Sequence, residues 1–333
     1  MLSICIPTYN RADSLADCLN SIYLSSKTSN LQFEVCVSNN GSSDQTSVVI
    51  DFFNDKLPIK YFSYDSNQGR VRNYLNVVEM ASGDFVWLLG DDDLLTPYAF
   101  EHLDSLLINN KDVDFFYVNS FNLSSNYLKS FERPFDTRHL PKKMTTFSTF
   151  KHSKQLRFLD LVNPNISFDF VGAMFLAVFR RSMWSENVNH LNFHVIDDDR
   201  VFSHFDNTFP HLKIFINAFS KSNSYFYSTA LSVNLSGERE WSPMSPLINI
   251  VRLVEALDLY KSQGLPLFQY LRCKNFALRT FWPDFLRMLI RRKESGFEYV
   301  NTPKLLFSSI LYPNAWFSPF RYLYDLLRRI IKL

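Results

Sequence analysis

The stretch "GDFVWLLGDDDLLTP", residues 83–97, climbs from a glycine turn through apolar strand formers and ends in three consecutive carboxylates, Asp91, Asp92 and Asp93. Like charges so close repel, and each raises the cost of ionising the others. A cation relieves that cost. Divalent ions of the Mg²⁺ or Mn²⁺ kind take carboxylate oxygens together with substrate phosphates, and need only one or two protein carboxylates. The plainer alternative is a helix start, with Asp93 as N-cap of "LLTPYAFEHLDSLL", for which one Asp suffices.

Upstream, strand and helix patterns alternate with short links. "LSICIPTYN" (2–10) reads as a buried strand, and "RADSLADCLNSIYLSS" as a helix with Leu15, Leu19 and Ile22 at helical spacing and Asp13 as N-cap. "FEVCVSNNGSSD" (33–44) is a strand closed by an Asn-Gly-Ser turn. "TSVVIDFFN" (46–54) is helical, "IKYFSY" (59–64) a strand, "GRVRNYLNVVEMAS" (69–82) helical, and "DFVWLL" (84–89) a strand. The alternation predicts an α/β fold, a mostly parallel sheet between helices. Such sheets bind ligands beyond the carboxyl ends of their strands. Pro7-Thr8-Tyr9-Asn10-Arg11, Ser38-Asn39-Asn40-Gly41-Ser42 and Gly90-Asp91-Asp92-Asp93 all fall there. Past residue 113, "DVDFFYVNSF" and "SYFYSTALSVNL" (224–235) read as strands, and "SGEREWSPMSP" (236–246) as a mobile loop.

"CIPTYNR", "VSNNGSSD", "NQGRVRN" (67–73) and "GDFVWLLGDDDLL" follow one another in order. The series resembles the family 2 glycosyltransferases of the GT-A fold, nucleotide-sugar-dependent enzymes whose texts read like "PTYN", "DDGSTD", "N-x-G-x-x-x-ARN" and "L-D-x-DD". It covers residues 2–97 closely and reaches more loosely to about 235. The resemblance implies a GT-A domain over residues 1–235, with a nucleotide half (1–97) and an acceptor half (98–235). It also implies roles. Pro7, Thr8 and Tyr9 line the nucleotide pocket, and the Asn39-Asn40 turn meets the base. Arg72 and Asn73 approach the diphosphate. Asp91 and Asp92 meet the ribose and diphosphate, with Asp91 and above all Asp93 as ligands of Mg²⁺ or Mn²⁺. A cation there stabilises the charge of a nucleoside-diphosphate leaving group.

This chain has Asn39 and Asn40 where the family text is acidic. An Asn amide can donate to cytosine N3 and accept from its 4-amino group, whereas a carboxylate there would face an acceptor. Cytidine is therefore expected, with Asn40 as the contact. A flipped amide also pairs with uracil, and an Asn-Gly turn can be chosen for its backbone alone. The length and this turn resemble the enterobacterial O-antigen enzymes that add a 3,6-dideoxyhexose from a CDP-sugar. CDP-abequose is the donor so implied, and a mannosyl-rhamnosyl-galactosyl unit on undecaprenyl diphosphate the acceptor. UDP-, dTDP- or GDP-hexoses remain rival donors. A nucleotidyltransferase and an inactive sugar-binding module remain rival functions.

A second acidic run, "HVIDDDRVF", lies where the family carries its catalytic base, so Asp198 and Asp199 are the catalytic candidates, with Asp197 a third. Crowding and burial would raise a carboxylate's proton affinity, as a base requires. N-capping by solvated acids is the alternative. His190, His194 and His204 nearby are read as partly exposed pocket histidines rather than a metal site.

The formal net charge of +2 gives no polyelectrolyte signal for nucleic acid. It hides an asymmetry: from Leu271 onward twelve Lys/Arg face four Asp/Glu, a net of +8, leaving −6 for residues 1–270. The extension 236–333 is therefore expected to be helical, basic and aromatic, suited to an anionic membrane surface or else packed on the domain. Cys5, Cys18, Cys36 and Cys273 form no C-x-x-C pair, so a reducing compartment is inferred. The sequence carries no signal-peptide pattern and no window of about 18 apolar residues. The expected location is cytoplasmic, peripheral on the inner face of the inner membrane.

Overall fold

Strand β1 (Leu2–Thr8) is buried along its whole length. Its ladder with β4 (Phe85–Leu88) stops at Cys5↔Leu88, short of Pro7, which has no N–H to give. On its other side β1 pairs in parallel with β2 (Phe33–Asn39) up to Thr8↔Asn39. Beyond that, β2 pairs in parallel with β3 (Ile59–Ser63) up to Asn39↔Ser63. Helices α1 (Ala12–Ser26), α2 (Thr46–Asn54) and α3 (Arg70–Glu79) make the crossovers. Leu15, Leu19 and Ile22 of α1 join Ile4, Val35 and Trp87 in one core. The computed structural model describes residues 1–198, 200–237 and 241–331.

Past β4 the sheet becomes mixed. Strands β5 (Asp93–Leu95), β6 (Phe115–Ser124), β7 (Thr145–Thr146), β8 (Lys154–Arg157), β9 (Ala177–Arg180) and β10 (Asn223–Ser236) join it, with α4 (Ala99–Asn109) and α5 (Arg181–Asn187) between. The strand order is β3-β2-β1-β4-β9-β6-β10-β5. Strand β9 lies antiparallel to both β4 and β6, so the sheet is parallel over β1–β4 and mixed beyond, where β6 and β10 pair in parallel.

The chain divides into two compact units. The first holds the sheet: Met1–Leu161, Ala173–Asn189 and Lys221–Gly237. The second, Val162–Gly172, His190–Ser220 and Glu238–Leu333, is helical. It contains α6 (Phe193–Ile196), α7 (Phe205–Thr208), α8 (Pro210–Phe219), α9 (Ser245–Leu247), α10 (Leu253–Ser262), α11 (Leu267–Ala277), α12 (Phe281–Ile290), α13 (Thr302–Ser309) and α14 (Pro313–Ile331). Strand β10 ends at Ser236, and 162–172 and 190–220 belong to the helical unit. The reason is local: Tyr260 Oη donates to Phe170 O at 2.8 Å and Cys273 Sγ to Val162 O at 3.1 Å, tying the 162–172 segment to α10 and α11. All four cysteines are buried and free. Among the described residues no helix is long and apolar enough to cross a membrane.

Candidate active site

The parallel register brings the ends of β1, β2 and β4 to one edge of the sheet, and the three polar clusters with them. Arg11 stands among them. Its Nη1 donates to Asp91 Oδ1 at 2.7 Å and its Nη2 to Asp92 Oδ2 at 3.2 Å, so one guanidinium bridges two of the three carboxylates. Thr8 Oγ1 donates to the other Asp91 oxygen at 2.8 Å. Asp91 is buried, and that burial pushes its pKa up to about 6; the charge of Asp92 adds to the rise, while Arg11 and Thr8 oppose it. Arg11 carries half of the answer to the crowding of these charges. The motif text assigns Arg11 no role, although its place at the end of "PTYNR" is the signal that points to it.

Asp93 is held by two protein donors. It lies in β5, where its Oδ2 accepts from the Gly90 N–H at 2.9 Å and its Oδ1 from Asn234 Nδ2 at 3.0 Å. Asn234 is its ladder partner on β10. Both oxygens thus face protein donors in a buried setting. The N-cap alternative fails as well, since α4 begins only at Ala99. A Cβ on Gly90 would come within 2.9 Å of Asp92 Oδ1 and 3.0 Å of Asp93 Oδ2, so the two carboxylates close over the glycine.

Asn39 and Asn40 are buried and engaged. Asn39 donates to Tyr61 Oη at 2.9 Å and accepts from the Ser42 N–H at 3.0 Å. Asn40 donates to Asn67 Oδ1 and accepts from the Gln68 N–H, both at 2.8 Å. The Asn40 amide, the one expected to meet the base, laces its turn to the 67–69 loop. A Cβ on Gly41, whose φ is +75°, would lie 2.7 Å from the Ser66 backbone, so the turn and that loop touch directly.

Asn73 is buried on α3, where its Nδ2 donates to Thr8 O at 3.2 Å. Arg72 is exposed on the same helix. Pro7 is buried in β1 and Tyr9 is exposed at its end. Asp13 does not cap α1; it sits in the first turn, and Asp44 Oδ2 accepts the Ala12 N–H at 2.9 Å instead.

The second acidic run lies in the helical unit. Asp198 accepts from Arg200 through Nε at 2.9 Å, Nη2 at 2.8 Å and the backbone N–H at 3.0 Å, and from Ser203 Oγ at 2.9 Å. The Arg200 guanidinium above all holds its proton affinity well below the usual carboxylate range. That is the reverse of the rise expected from crowding, because the run supplies its own cation. Arg252 fixes the loop by donating to Phe202 O at 2.9 Å and Ser203 O at 2.6 Å, and Phe202 takes a left-handed φ of 59°. Asp197 is exposed, and Asp199 lies outside the described residues. Among the described residues no three His, Cys, Asp or Glu gather as a metal site, and His190, His194 and His204 form none.

The family model for glycosyl transferase family 2 matches residues 3–178. This chain belongs to glycosyl transferase family 2. Abequosyltransferase RfbV of Salmonella typhimurium is 40% identical to this family 2 chain over 115 residues, 34% of each protein. The GalNAc(5)-diNAcBac-PP-undecaprenol beta-1,3-glucosyltransferase of Campylobacter jejuni is 39% identical over 107 residues, 31% of this chain and 33% of that one. The matched stretch thus spans about a third of these curated relatives. The crystal structure of Staphylococcus aureus TarS 1–349 with UDP-GlcNAc superposes with a TM-score of 0.57 at 17% identity, covering 87% of this chain and 73% of that one. At that identity the likeness shows the fold, a GT-A-like α/β fold with a helical C-terminal region.

Proposed function

We propose that this chain transfers a sugar from a nucleoside-diphosphate donor to a hydroxyl of a polyprenyl-diphosphate-linked glycan. The observation that carries the reading is the Arg11–Asp91–Asp92 cluster at the carboxyl edge of β1 and β4. Carboxylates crowded under one cation, at the edge where open α/β sheets take ligands, suit a diphosphate and its counter-charge. CDP-abequose is the donor proposed, on the resemblance carried by the four motifs and on the likeness to RfbV, whose name specifies abequose. The lipid-linked acceptor is proposed on the likeness to the Campylobacter enzyme, whose name specifies undecaprenyl diphosphate.

The donor set fits Mg²⁺ or Mn²⁺: the carboxylates are hard oxygen ligands, and the guanidinium on them marks the demand for positive charge. Asp92 would hold such an ion, since Asp93 faces Gly90 and Asn234. When bound, the ion supplies positive charge to the departing diphosphate. The residues of the chain do the rest. Thr8 and Arg11 fix Asp91, and the Arg11 side chain, 42% exposed, keeps N–H groups for phosphate oxygens. Asp93 locks Gly90 to β10 and so sets the angle at which Asp92 leaves β4. For the base we propose a carboxylate of the 197–199 run, with Asp198 anchoring the run through Arg200 and Ser203.

Thermal stabilisation by CDP, UDP, dTDP and GDP, with and without Mg²⁺ or Mn²⁺, tests the donor class, because a ligand that binds only the folded state raises its stability. A stabilising nucleoside diphosphate whose effect is lost in Asp92→Asn is the expected result. No stabilisation by any of them would defeat the proposal and favour a sugar-binding module without turnover.

A further inference from the structure

Helix α14 packs by the wrong side for a core helix. Trp316, Phe320, Leu323, Leu327 and Ile330 follow one another at alternating steps of four and three, which aligns them along one face. All five are exposed, Phe320 by 70% and Ile330 by 58%. The opposite side makes the contacts. Ala315 and Ser318 are buried there, Ser318 Oγ accepts the Trp282 N–H at 3.1 Å, and the Arg287 guanidinium lies 5.3 Å from the Tyr322 ring centroid. The helix is therefore seated on α12 by its small and polar side, and its apolar face points away from that contact.

The exposed face continues past the helix. Trp316 Nε1 donates to Ile310 O at 2.8 Å, joining the stripe to the end of α13, where Phe307 and Leu311 are 78% and 84% exposed. Arg321 and Arg328, seven residues apart, run along one border of the stripe. An exposed apolar face of this extent marks an interaction surface.

We propose that this face docks on an anionic lipid bilayer, with α14 lying in the interface plane, its aromatic and aliphatic stripe among the acyl chains and its arginines at the headgroups. Trp and Tyr among the exposed residues suit the interfacial region, and a basic border beside an apolar face is the pattern of interfacial helices. Charge decides against a second copy of this chain docking by the same face. Residues 271–333 carry a net +8, and a copy would bring another +8 against it, whereas an anionic surface supplies the opposite sign. The proposal holds whichever donor the chain uses.

The test is co-sedimentation of the full chain with neutral phosphatidylcholine vesicles and with vesicles containing about 30% phosphatidylglycerol. Binding to the anionic vesicles is expected, weakening as salt rises from about 50 to about 500 mM, because exposed charges are screened. The double variant Phe320→Ser/Leu327→Ser, at exposed positions, should keep its thermal midpoint and lose about tenfold or more in vesicle affinity. Arg321→Gln/Arg328→Gln should flatten the salt dependence. Equal binding by the wild type and the Phe320→Ser/Leu327→Ser variant would overturn the proposal. So would absence of binding at low salt, or a dimer in sedimentation velocity that this variant dissolves while vesicles are ignored.

Discussion

Asp93 accepts from Gly90 and Asn234, while Asp92 lies beside the Arg11 guanidinium. Asp93→Asn turns one carboxylate oxygen into an amide that must face a donor, so it should cost about 1–3 kcal/mol of stability, read by denaturant unfolding. Asp92→Asn should leave stability within about 0.5 kcal/mol and lower turnover by about a hundredfold or more. The reverse pattern would return the ligand role to Asp93. Asn40→Asp should leave the ratio of CDP to UDP affinity unchanged and destabilise the protein by about 1–3 kcal/mol, since a carboxylate would then face Asn67 Oδ1. Side-by-side titrations decide it, and a shifted ratio would restore base reading to Asn40. Burial lifts the Asp91 pKa from its ordinary 3.8 to about 6. Its contribution to stability is thus full below about pH 4 and lost as pH rises through about 6. Nucleotide binding has the opposite limb, since protonation weakens the hold on Arg11. Affinity for a nucleoside diphosphate should fall as pH drops through about 6, and Arg11→Gln should move that midpoint upward by removing the opposing charge.

At the scale of elements, β1 to β4 and their helices were legible because apolar runs of strand length alternate with 3.6-residue periodicity and every crossover is short. What the pattern could not carry was partnership between distant segments. The cap of α1 comes from Asp44 rather than from Asp13, within the helix it was meant to start. Strand β9 enters antiparallel between β4 and β6, an order that no local periodicity encodes. The site followed the same rule. The positions of Asp91 to Asp93 at a strand end could be read, but which of them turns inward depended on Asn234, 141 residues downstream. The amides of Asn39 and Asn40 could be assigned to a ligand or to a turn on composition alone, and the turn partners, Tyr61 and Ser42 for Asn39 and the 67–69 loop for Asn40, lie beyond what composition shows. Asp44→Ala should remove the borrowed cap at a cost of about 0.5–2 kcal/mol and lower nucleotide affinity, because the 10–12 segment that carries Arg11 hangs from it.

For the whole molecule, the residues proposed for the donor and for the base fall in different compact units. The residues proposed to hold the donor lie in the sheet unit, and the 197–199 run lies in the helical one. If the run supplies the base, its loss should spare donor binding. Loss of a general base costs about a hundredfold to ten-thousandfold in rate. Asp199→Asn should therefore retain the wild-type stabilisation by nucleoside diphosphate while turnover falls by that factor. Asp198→Asn should behave otherwise. It removes the acceptor of Arg200 and Ser203, so it should loosen the loop that Arg252 braces from the other side, lowering stability along with turnover. Arg200→Gln should reproduce the stability loss, which a base role for Asp198 would not require. If instead Asp198→Asn kept full stability and lost turnover alone, Asp198 would be the base despite its arginine. If Asp199→Asn abolished nucleotide binding, the two chemistries would not be separable by unit, and the assignment of the run to the acceptor hydroxyl would be withdrawn.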